Sequence, residues 1–362
     1  MAALLTLIRR TPLLWLLAFV PTVLVGHAVS PGAHMALFVL SVLAIVPLAA
    51  LLSHATEAVA ARTGDTIGGL LNATLGNMTE LVIALTALRA GEYLLVKGSL
   101  AGAIVTNTLF MLGASFLLGG LKHHVQEYNH VTARLQASLL FLATIALLVP
   151  STVEDRIAGA PEVGHSLSVV LSVLLIAAYA LAMLFSLKTH RELFASLSHH
   201  EEGEPWPIAL ALVMLGVVTV LVALVSEVFV ESVQEAAVTL NITPAFVGFV
   251  IVPIVGGAAE MVSAFAGARS NRLDLSVAIA LGSASQIALF VAPVLVLLSY
   301  VIAPMPMDLV FWPGAVAMIF FSVITAAFIT SNGRSAWFVG VLALMVYLVF
   351  ATTLYLLPPR VT

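Results

Sequence analysis

Two glutamates stand out because each lies near the middle of a long apolar segment. Glu80 ends the sequence Gly-Asn-Met-Thr-Glu within the segment 67–90, and Glu260 ends Gly-Gly-Ala-Ala-Glu within the segment 246–268. A carboxylate at the centre of a membrane-spanning helix costs about 2.5–3.5 kcal/mol on insertion scales. Because the chain places one there twice, behind the same small-residue pattern, we predict that both glutamates belong to one ion site.

The residues around these glutamates repeat with the same spacing. Gly76 and Gly256 each precede a glutamate by four residues and follow an earlier glycine by eight. A polar pair follows each block one helix later, Thr106-Asn107 in the first half and Ser285-Gln286 in the second. This agreement predicts an internal duplication in which each half supplies part of the site.

The chemistry of the repeated blocks suits a hard cation. Residues four apart share a helix face, so each glycine is expected beside its glutamate with its backbone carbonyl open to a ligand. Pro253 removes one helical hydrogen bond just before the second block. Carboxylate, amide and carbonyl oxygens together favour an ion such as Ca²⁺ over zinc or copper. The predicted ligands are Glu80, Glu260 and the backbone at Gly76 and Gly256, supported by Asn77, Asn107, Ser285 and Gln286.

Two facing carboxylates also predict coupling to protons. Without a cation they repel each other, so an empty site should take up protons, and binding of a divalent cation should release them. Competition between two protons and one dication, in a site that opens alternately to each side, gives proton-coupled exchange.

Plainer roles remain open for several of these residues. The glycine stripes also fit helix packing, and Asn107 and Gln286 also fit interhelical hydrogen bonding. His54 could relay protons or simply pack at an interface. Four further glutamates nearer helix ends are either solvated there or provide proton or ion access: Glu57, Glu227, Glu231 and Glu235. The acidic group Glu201, Glu202 and Glu204, with His199 and His200, is either regulatory or merely solvated.

Composition sets the class of protein. The 362 residues are 61% hydrophobic and only 9% charged, whereas soluble domains carry about 25% charged residues. The apolar segments are long and lack strand-like alternation, so the chain is predicted to be an all-α polytopic membrane protein. A net charge of −4 argues against a nucleic-acid partner, and the absence of cysteine excludes thiolate metal sites. We expect no cofactor. The expected partners are inorganic cations, including transported Ca²⁺ and H⁺, and the lipid bilayer, and a homo-oligomer stays open.

Eleven transmembrane helices are predicted, and basic residues give their orientation. Ten of the 14 lysines and arginines fall on the inside if the N-terminus is cytoplasmic. The short connections between the predicted helices favour a prokaryotic protein located in the inner membrane. Arg9-Arg10 and the following apolar stretch favour an uncleaved first helix, with a signal peptide as the alternative. The predicted helices span 13–29, 34–60, 66–90, 94–121, 132–150, 163–188, 207–238, 243–269, 273–301, 307–330 and 334–357.

One hydrophilic segment divides the chain. The predicted organisation is an N-terminal helix in 1–30, a five-helix repeat in 31–189, a cytoplasmic acidic linker in 190–206 and a second five-helix repeat in 207–362. An odd number of helices in each half means that the repeats insert with opposite orientation, as in many secondary transporters.

At its two glutamate blocks the chain resembles the calcium/proton exchanger (cation exchanger) family of the calcium/cation antiporter superfamily. Residues 68–81 read Gly-Gly-Leu-Leu-Asn-Ala-Thr-Leu-Gly-Asn-Met-Thr-Glu-Leu, and residues 252–261 read Val-Pro-Ile-Val-Gly-Gly-Ala-Ala-Glu-Met. The similarity covers roughly 53–120 and 226–298. It implies Ca²⁺ export in exchange for protons, with Glu80 and Glu260 as the ion-binding glutamates.

Two residues depart from that family's pattern. Gly257 stands where the family usually has Asn, and Met261 stands where it often has His. The departures leave the ion preference open to Mn²⁺ or a monovalent cation. A Na⁺-coupled exchanger of the same fold and a passive cation channel are the alternative functions. An intramembrane enzyme is disfavoured, because protease motifs such as His-Glu-x-x-His are missing from the sequence.

Overall fold

The computed structural model describes residues 11–63, 65–153, 161–190, 206–357 and 359. Most of these residues lie in apolar helices joined by short connections. The helices of the first half are α1 (Pro12–Val29), α2 (His34–Thr63), α3 (Asp65–Leu75), α4 (Met78–Arg89), α5 (Tyr93–His123), α6 (His130–Val153) and α7 (Pro161–Leu184). The helices of the second half are α8 (Ile208–Thr239), α9 (Pro244–Gly256), α10 (Ala258–Arg269), α11 (Leu273–Ile302), α12 (Pro313–Ile329) and α13 (Trp337–Leu356).

Helix length and composition agree with a polytopic membrane protein. Within the described ranges, eight helices are long and apolar enough to cross a membrane, and the bent pair α9–α10 makes a ninth. The predicted all-α membrane class is therefore confirmed, whereas the count of eleven spans stays a prediction.

Three predicted helices differ from the observed ones. The helix expected at 243–269 is divided at Gly257 into α9 and α10, which meet at an angle of 60°. The helix expected at 66–90 is interrupted after Leu75, so that α3 and α4 are separate. The helix expected at 307–330 begins only at Pro313, because a proline is tolerated in the first turn of a helix but would break the hydrogen bonding of a helix that began at 307. Its preceding segment is extended instead.

That extended segment, the 303–312 strap, is fixed by side chains from neighbouring helices. The backbone N–H groups of residues 307, 309 and 311 donate to the hydroxyls of Ser299, Ser168 and Ser151, respectively. Lys97 of α5 forms an ion pair with Asp308 at 2.5 Å. The strap therefore holds α5, α6, α7 and α11 together at one end of the bundle.

A two-stranded antiparallel ribbon lies at the opposite end of α5. Strand β1 (Val125–Glu127) pairs with β2 (Arg334–Ala336), and the side chains of Glu127 and Arg334 form a 2.6 Å ion pair. Gln126 donates to the carbonyl of Ala268 at the end of α10. The ribbon thus joins the first half of the chain to the second.

Close helix packing uses glycine where α5 meets α9. A β-carbon at Gly102 would lie 2.2 Å from the carbonyl oxygen of Phe249, and one at Gly248 would lie 2.6 Å from that of Leu95. No side chain fits between these backbones, so α9 is held directly against α5. Helices α2 and α8 also pack along each other, with the rings of Phe38 and Phe229 stacked at 5.5 Å.

Candidate cation site

Both glutamates lie in the first turn of a helix, directly after a helix break. Asn77 ends the break before α4 with φ −97° and ψ 34°, and Gly257 ends the break before α10 with φ −82° and ψ 9°. Helices α9 and α10 meet at an angle of 60°. Because the first N–H groups of a helix lack helical partners, each glutamate sits where its negative charge is stabilised.

The Glu80 carboxylate lies against the backbone of the other half. A β-carbon at Gly256 would be 3.2 Å from Glu80 Cγ and 3.3 Å from Glu80 Oε1. Glu260, four residues beyond Gly256, is close enough to Glu80 for the two carboxylates to interact electrostatically. The structure therefore brings together the two glutamates that the sequence singled out, and it places Gly256, which was predicted beside Glu260, against Glu80 of the other half.

A buried chain of hydrogen bonds crosses between the halves at this point. Asn107 Nδ2 donates to Ser283 Oγ at 2.9 Å, and Ser283 Oγ donates to Asn77 Oδ1 at 2.8 Å. The Glu260 carboxylate lies near the same hydroxyl. Ser283 thus links the break before α4 to the second glutamate.

Gln286 completes the polar lining on the side of Gly76. A β-carbon at Gly76 would lie 3.3 Å from Gln286 Oε1. Among the described residues, the buried atoms Asn77 Nδ2, Gln286 Nε2 and Glu260 Oε2 have no hydrogen-bond partner. Unpaired buried polar groups are costly, and their concentration around two carboxylates is typical of a site for an ion or water.

The two glutamates have different surroundings. Glu260 faces the Ser283 hydroxyl and the charge of Glu57. Glu80 faces Gly257, where a β-carbon would lie 3.5 Å from Glu80 Oε1 and 3.8 Å from the methyl carbon of Met261. Glu260 therefore has polar and charged neighbours, whereas the Gly257 backbone lies beside Glu80.

Both halves contain a π-helical turn at matching positions. One turn spans Thr106–Met111 and includes Asn107, and the other spans Ile287–Val291 directly after Gln286. Such turns are frequent at functional sites. Here they coincide with the amide side chains predicted to support the ion.

The other predicted residues are distributed unevenly. Ser285 donates to the backbone carbonyl of Gln136 on α6, away from the hydrogen-bond chain of Ser283. Glu57 accepts from Ser53 on α2. Glu227, Glu231 and Glu235 are exposed on α8, and Glu231 lies 3.6 Å from His27 of α1. His54 packs its ring against Trp206. The acidic group Glu201, Glu202 and Glu204 lies outside the described residues, as do His199 and His200.

Sequence analysis missed Ser283. It belongs to Gly-Ser-Ala within an apolar helix and differs in no obvious way from the other buried serines. The one signal in the sequence is its position three residues before Gln286, which places both side chains on nearly the same face of the helix. Within the described residues there is no cluster of three or more His, Asp or Glu side chains arranged as a metal site. A cation here would depend on two carboxylates with amide, hydroxyl and backbone oxygens.

Comparison with known proteins identifies the family. The family model described as sodium/calcium exchanger protein matches residues 33–188 and 210–356. The chain belongs to this family. The two matched segments contain one glutamate block each.

Individual relatives of this exchanger show which branch of the family it belongs to, the one that contains Ca²⁺/H⁺ antiporters. The Ca²⁺/H⁺ antiporter of Aphanothece halophytica is 40% identical over 97% of this chain and 98% of its own length. The Ca²⁺/H⁺ antiporter of Synechocystis is 38% identical over 96% and 97%. The solved structure of native YfkE superposes with a TM-score of 0.83 and 34% identity, covering 96% of this chain and all of YfkE. The predicted membership of the cation exchanger family is confirmed.

Proposed function

We propose that this exchanger is a secondary active antiporter that exports Ca²⁺ from the cytoplasm in exchange for protons. The observation that carries the proposal is the contact of the Glu80 side chain with Gly256, four residues before Glu260. Two carboxylates from two halves of the chain meet in a buried polar site, as competitive binding of one dication or two protons requires. The Ca²⁺/H⁺ antiporters among its relatives support the choice of ions.

The ligand set of the proposal is built from both halves. Glu80 and Glu260 bind the ion, and backbone oxygens at Gly76 and Gly256 complete its shell. Asn77, Asn107, Ser283 and Gln286 orient the glutamates or contribute oxygen atoms directly. An all-oxygen set of this kind fits the six to eight ligands that Ca²⁺ takes.

The proposal includes an inverted-repeat mechanism in a prokaryotic inner membrane. The two repeats insert with opposite orientation, and the cytoplasm lies at the end of the bundle that carries the ribbon. Matching helix breaks and matching π-helical turns in the two halves support this organisation. Glu57, whose charge acts on Glu260, provides a path for ions or protons from one side of the membrane. Glu227, Glu231 and Glu235 of α8 provide the path from the other side.

The test is ion flux into proteoliposomes that contain the purified full chain. An imposed proton gradient should drive Ca²⁺ uptake, and a Na⁺ gradient without a proton gradient should not. Glu80→Gln and Glu260→Gln should each abolish the uptake while the protein stays folded. Glu127→Gln, at an exposed position on the ribbon, is the matched control for removing one carboxylate.

Each alternative function gives a distinct result in this assay. Uptake driven only by Na⁺ would indicate a sodium-coupled exchanger. Ca²⁺ flux that ignores the opposing ion would indicate a channel. Full proton-driven exchange by both glutamine variants would contradict the paired-carboxylate site.

A further inference from the structure

We propose that the ribbon end of the bundle carries a docking surface for an anionic phospholipid. This basic patch consists of Lys122, Arg269 and Arg272, with Trp337 beside them. The phosphate of the lipid lies among the three cations, and its glycerol and acyl region lies against the exposed aromatic ring. The inference does not depend on the proposed function, because the patch lies at the far end of α10 from Glu260.

The first support is a surplus of positive charge. Three segments of the chain meet at this end: 119–134, 264–278 and 326–340. Together they contain five lysines and arginines but only two acidic residues, Glu127 and Asp274. Glu127 is already paired with Arg334, and Asp274 accepts a backbone N–H. Within the described ranges, the three cations of the patch form no ion pair with a carboxylate.

The second support is that the end of α10 gathers these cations. Lys122 Nζ donates to the carbonyl oxygen of Arg269 at 2.9 Å, and His123 Nε2 lies 3.0 Å from the same oxygen. The last carbonyls of a helix lack helical partners, so basic groups are stabilised there. Arg272 follows three residues later, and its backbone N–H donates to the carbonyl of Gly267 at 2.8 Å. The backbone segments that carry the three cations are therefore fixed next to one another.

The third support is an exposed aromatic pair beside the cations. Trp337 and Phe338, at the start of α13, are 45% and 55% exposed, and their ring centroids are 5.7 Å apart. A β-carbon at Gly120 would lie 2.3 Å from the backbone nitrogen of Trp337, and one at Gly119 would lie 3.1 Å from the carbonyl oxygen of Ala268. The last turn of α5 therefore contacts both the start of α13 and the end of α10.

This combination of groups suits a phospholipid with a net negative charge. Lysine and arginine bind phosphate through charge-assisted hydrogen bonds, and basic clusters next to transmembrane helices attract anionic headgroups. Tryptophan is enriched at the depth of the headgroups, where its ring contacts the lipid. The opposite end of the bundle has no such surplus at its strap, because Lys97 is paired there with Asp308.

Thermal unfolding of the purified full chain in a neutral detergent tests the docking surface. EGTA is present so that Ca²⁺ cannot bridge lipid and protein. Phosphatidylglycerol at about tenfold excess over its dissociation constant should raise the Tm by about 2–4 °C. Phosphatidylcholine has no net charge and inorganic phosphate has no acyl chains, so neither should change the Tm. An equal rise with either of these two would overturn the inference.

Two arginines at equivalent positions provide a matched pair of variants. Arg269 and Arg89 each lie nine residues after a glutamate of the site, in the last turn of their helices, but at opposite ends of the bundle. Arg269→Gln should reduce the Tm rise caused by phosphatidylglycerol, and Arg269→Gln/Arg272→Gln should remove most of it. Arg89→Gln should keep the wild-type rise. An equal response of Arg89→Gln and Arg269→Gln would contradict the patch.

Tryptophan fluorescence locates the lipid by a second route. Phosphatidylglycerol with brominated acyl chains quenches a tryptophan that it contacts, and it should quench the protein more strongly than brominated phosphatidylcholine does. Trp337→Phe should remove this difference, while the other three tryptophans report general contact with lipid. Equal quenching of the wild type by the two lipids would overturn the inference, as would a difference that persists in Trp337→Phe.

Discussion

The Ser283 hydroxyl donates to Asn77 Oδ1 at 2.8 Å and so ties the two halves of the chain together beside the second glutamate. Both side chains are buried, with exposed fractions of 5% and 1%. Because Asn77 also begins α4, one hydrogen bond fixes the position of the helix that carries Glu80.

Removing that hydroxyl should weaken both the fold and the site. In Ser283→Ala, Asn77 Oδ1 and Asn107 Nδ2 would be buried without their partner, which costs about 1–3 kcal/mol per group. We expect a lower Tm in detergent and about tenfold weaker apparent Ca²⁺ affinity in the uptake assay. Ser283→Thr keeps the hydroxyl and should retain most of both. Equal behaviour of the two variants would show that the hydroxyl is not what matters.

A side chain at Gly256 should displace Glu80. The β-carbon of Gly256→Ala would lie 3.2–3.3 Å from three atoms of the Glu80 side chain, so the carboxylate has to move. Because ligand position controls ion binding, Ca²⁺ uptake should fall by about 10–100-fold. Gly216→Ala on α8, which has open space around it, is the control. Uptake by Gly256→Ala at the control's rate would contradict the placement of Glu80.

Gly102 should be needed for folding rather than for binding. An alanine β-carbon there would lie within 2.6 Å of three backbone atoms of Phe249, which cannot rotate away. We expect Gly102→Ala to destabilise the protein by about 1–3 kcal/mol through overpacking. The yield of folded protein on gel filtration and its Tm measure this effect. Gly216→Ala, by contrast, should be neutral or slightly stabilising.

The ion pair that fixes the 303–312 strap should contribute to stability. Lys97 and Asp308 are about four-fifths buried, so removal of one partner leaves the other charge poorly solvated. Lys97→Met and Asp308→Asn should each cost about 1–3 kcal/mol. The double variant should cost less than the sum of the two. A strictly additive double-mutant cycle, measured by thermal unfolding, would mean that the two charges do not interact.

Ca²⁺ binding should weaken as the pH falls. A protonated carboxyl group is a poor ligand, so protons compete with the cation for Glu80 and Glu260. If both must be ionised, the logarithm of the Ca²⁺ dissociation constant should rise by about 2 for each pH unit lost on the acid side. Titrations of the purified protein at several pH values measure this slope. A dissociation constant independent of pH would contradict proton competition.

Much of the architecture was predictable because the apolar segments are long and their ends are marked by charges. The helix expected at 207–238 is observed as Ile208–Thr239, and the one expected at 334–357 as Trp337–Leu356. The same repeat that indicated a duplication led to the two glutamates and to Gly256. The ion-binding role of these residues stays a prediction.

What the sequence did not reveal depends on contacts between distant segments. The sequence does not single out Ser283, because a serine in an apolar helix usually bonds to its own backbone, as Ser232 does. The apolar run that includes Met307, Leu309 and Phe311 predicts a helix from residue 307, where the structure has the extended strap. The hydroxyls of three other helices and the Lys97–Asp308 ion pair stabilise the extended conformation there.

The ribbon between β1 and β2 has a consequence for how the chain is held together. It joins segments more than 200 residues apart by backbone hydrogen bonds, just as the pair Ser283–Asn77 joins the same halves through side chains. The covalent link between residues 190 and 206 is therefore not the main attachment of one half to the other. We expect two separately synthesised polypeptides, ending and starting in that link, to assemble into an exchanger through these contacts.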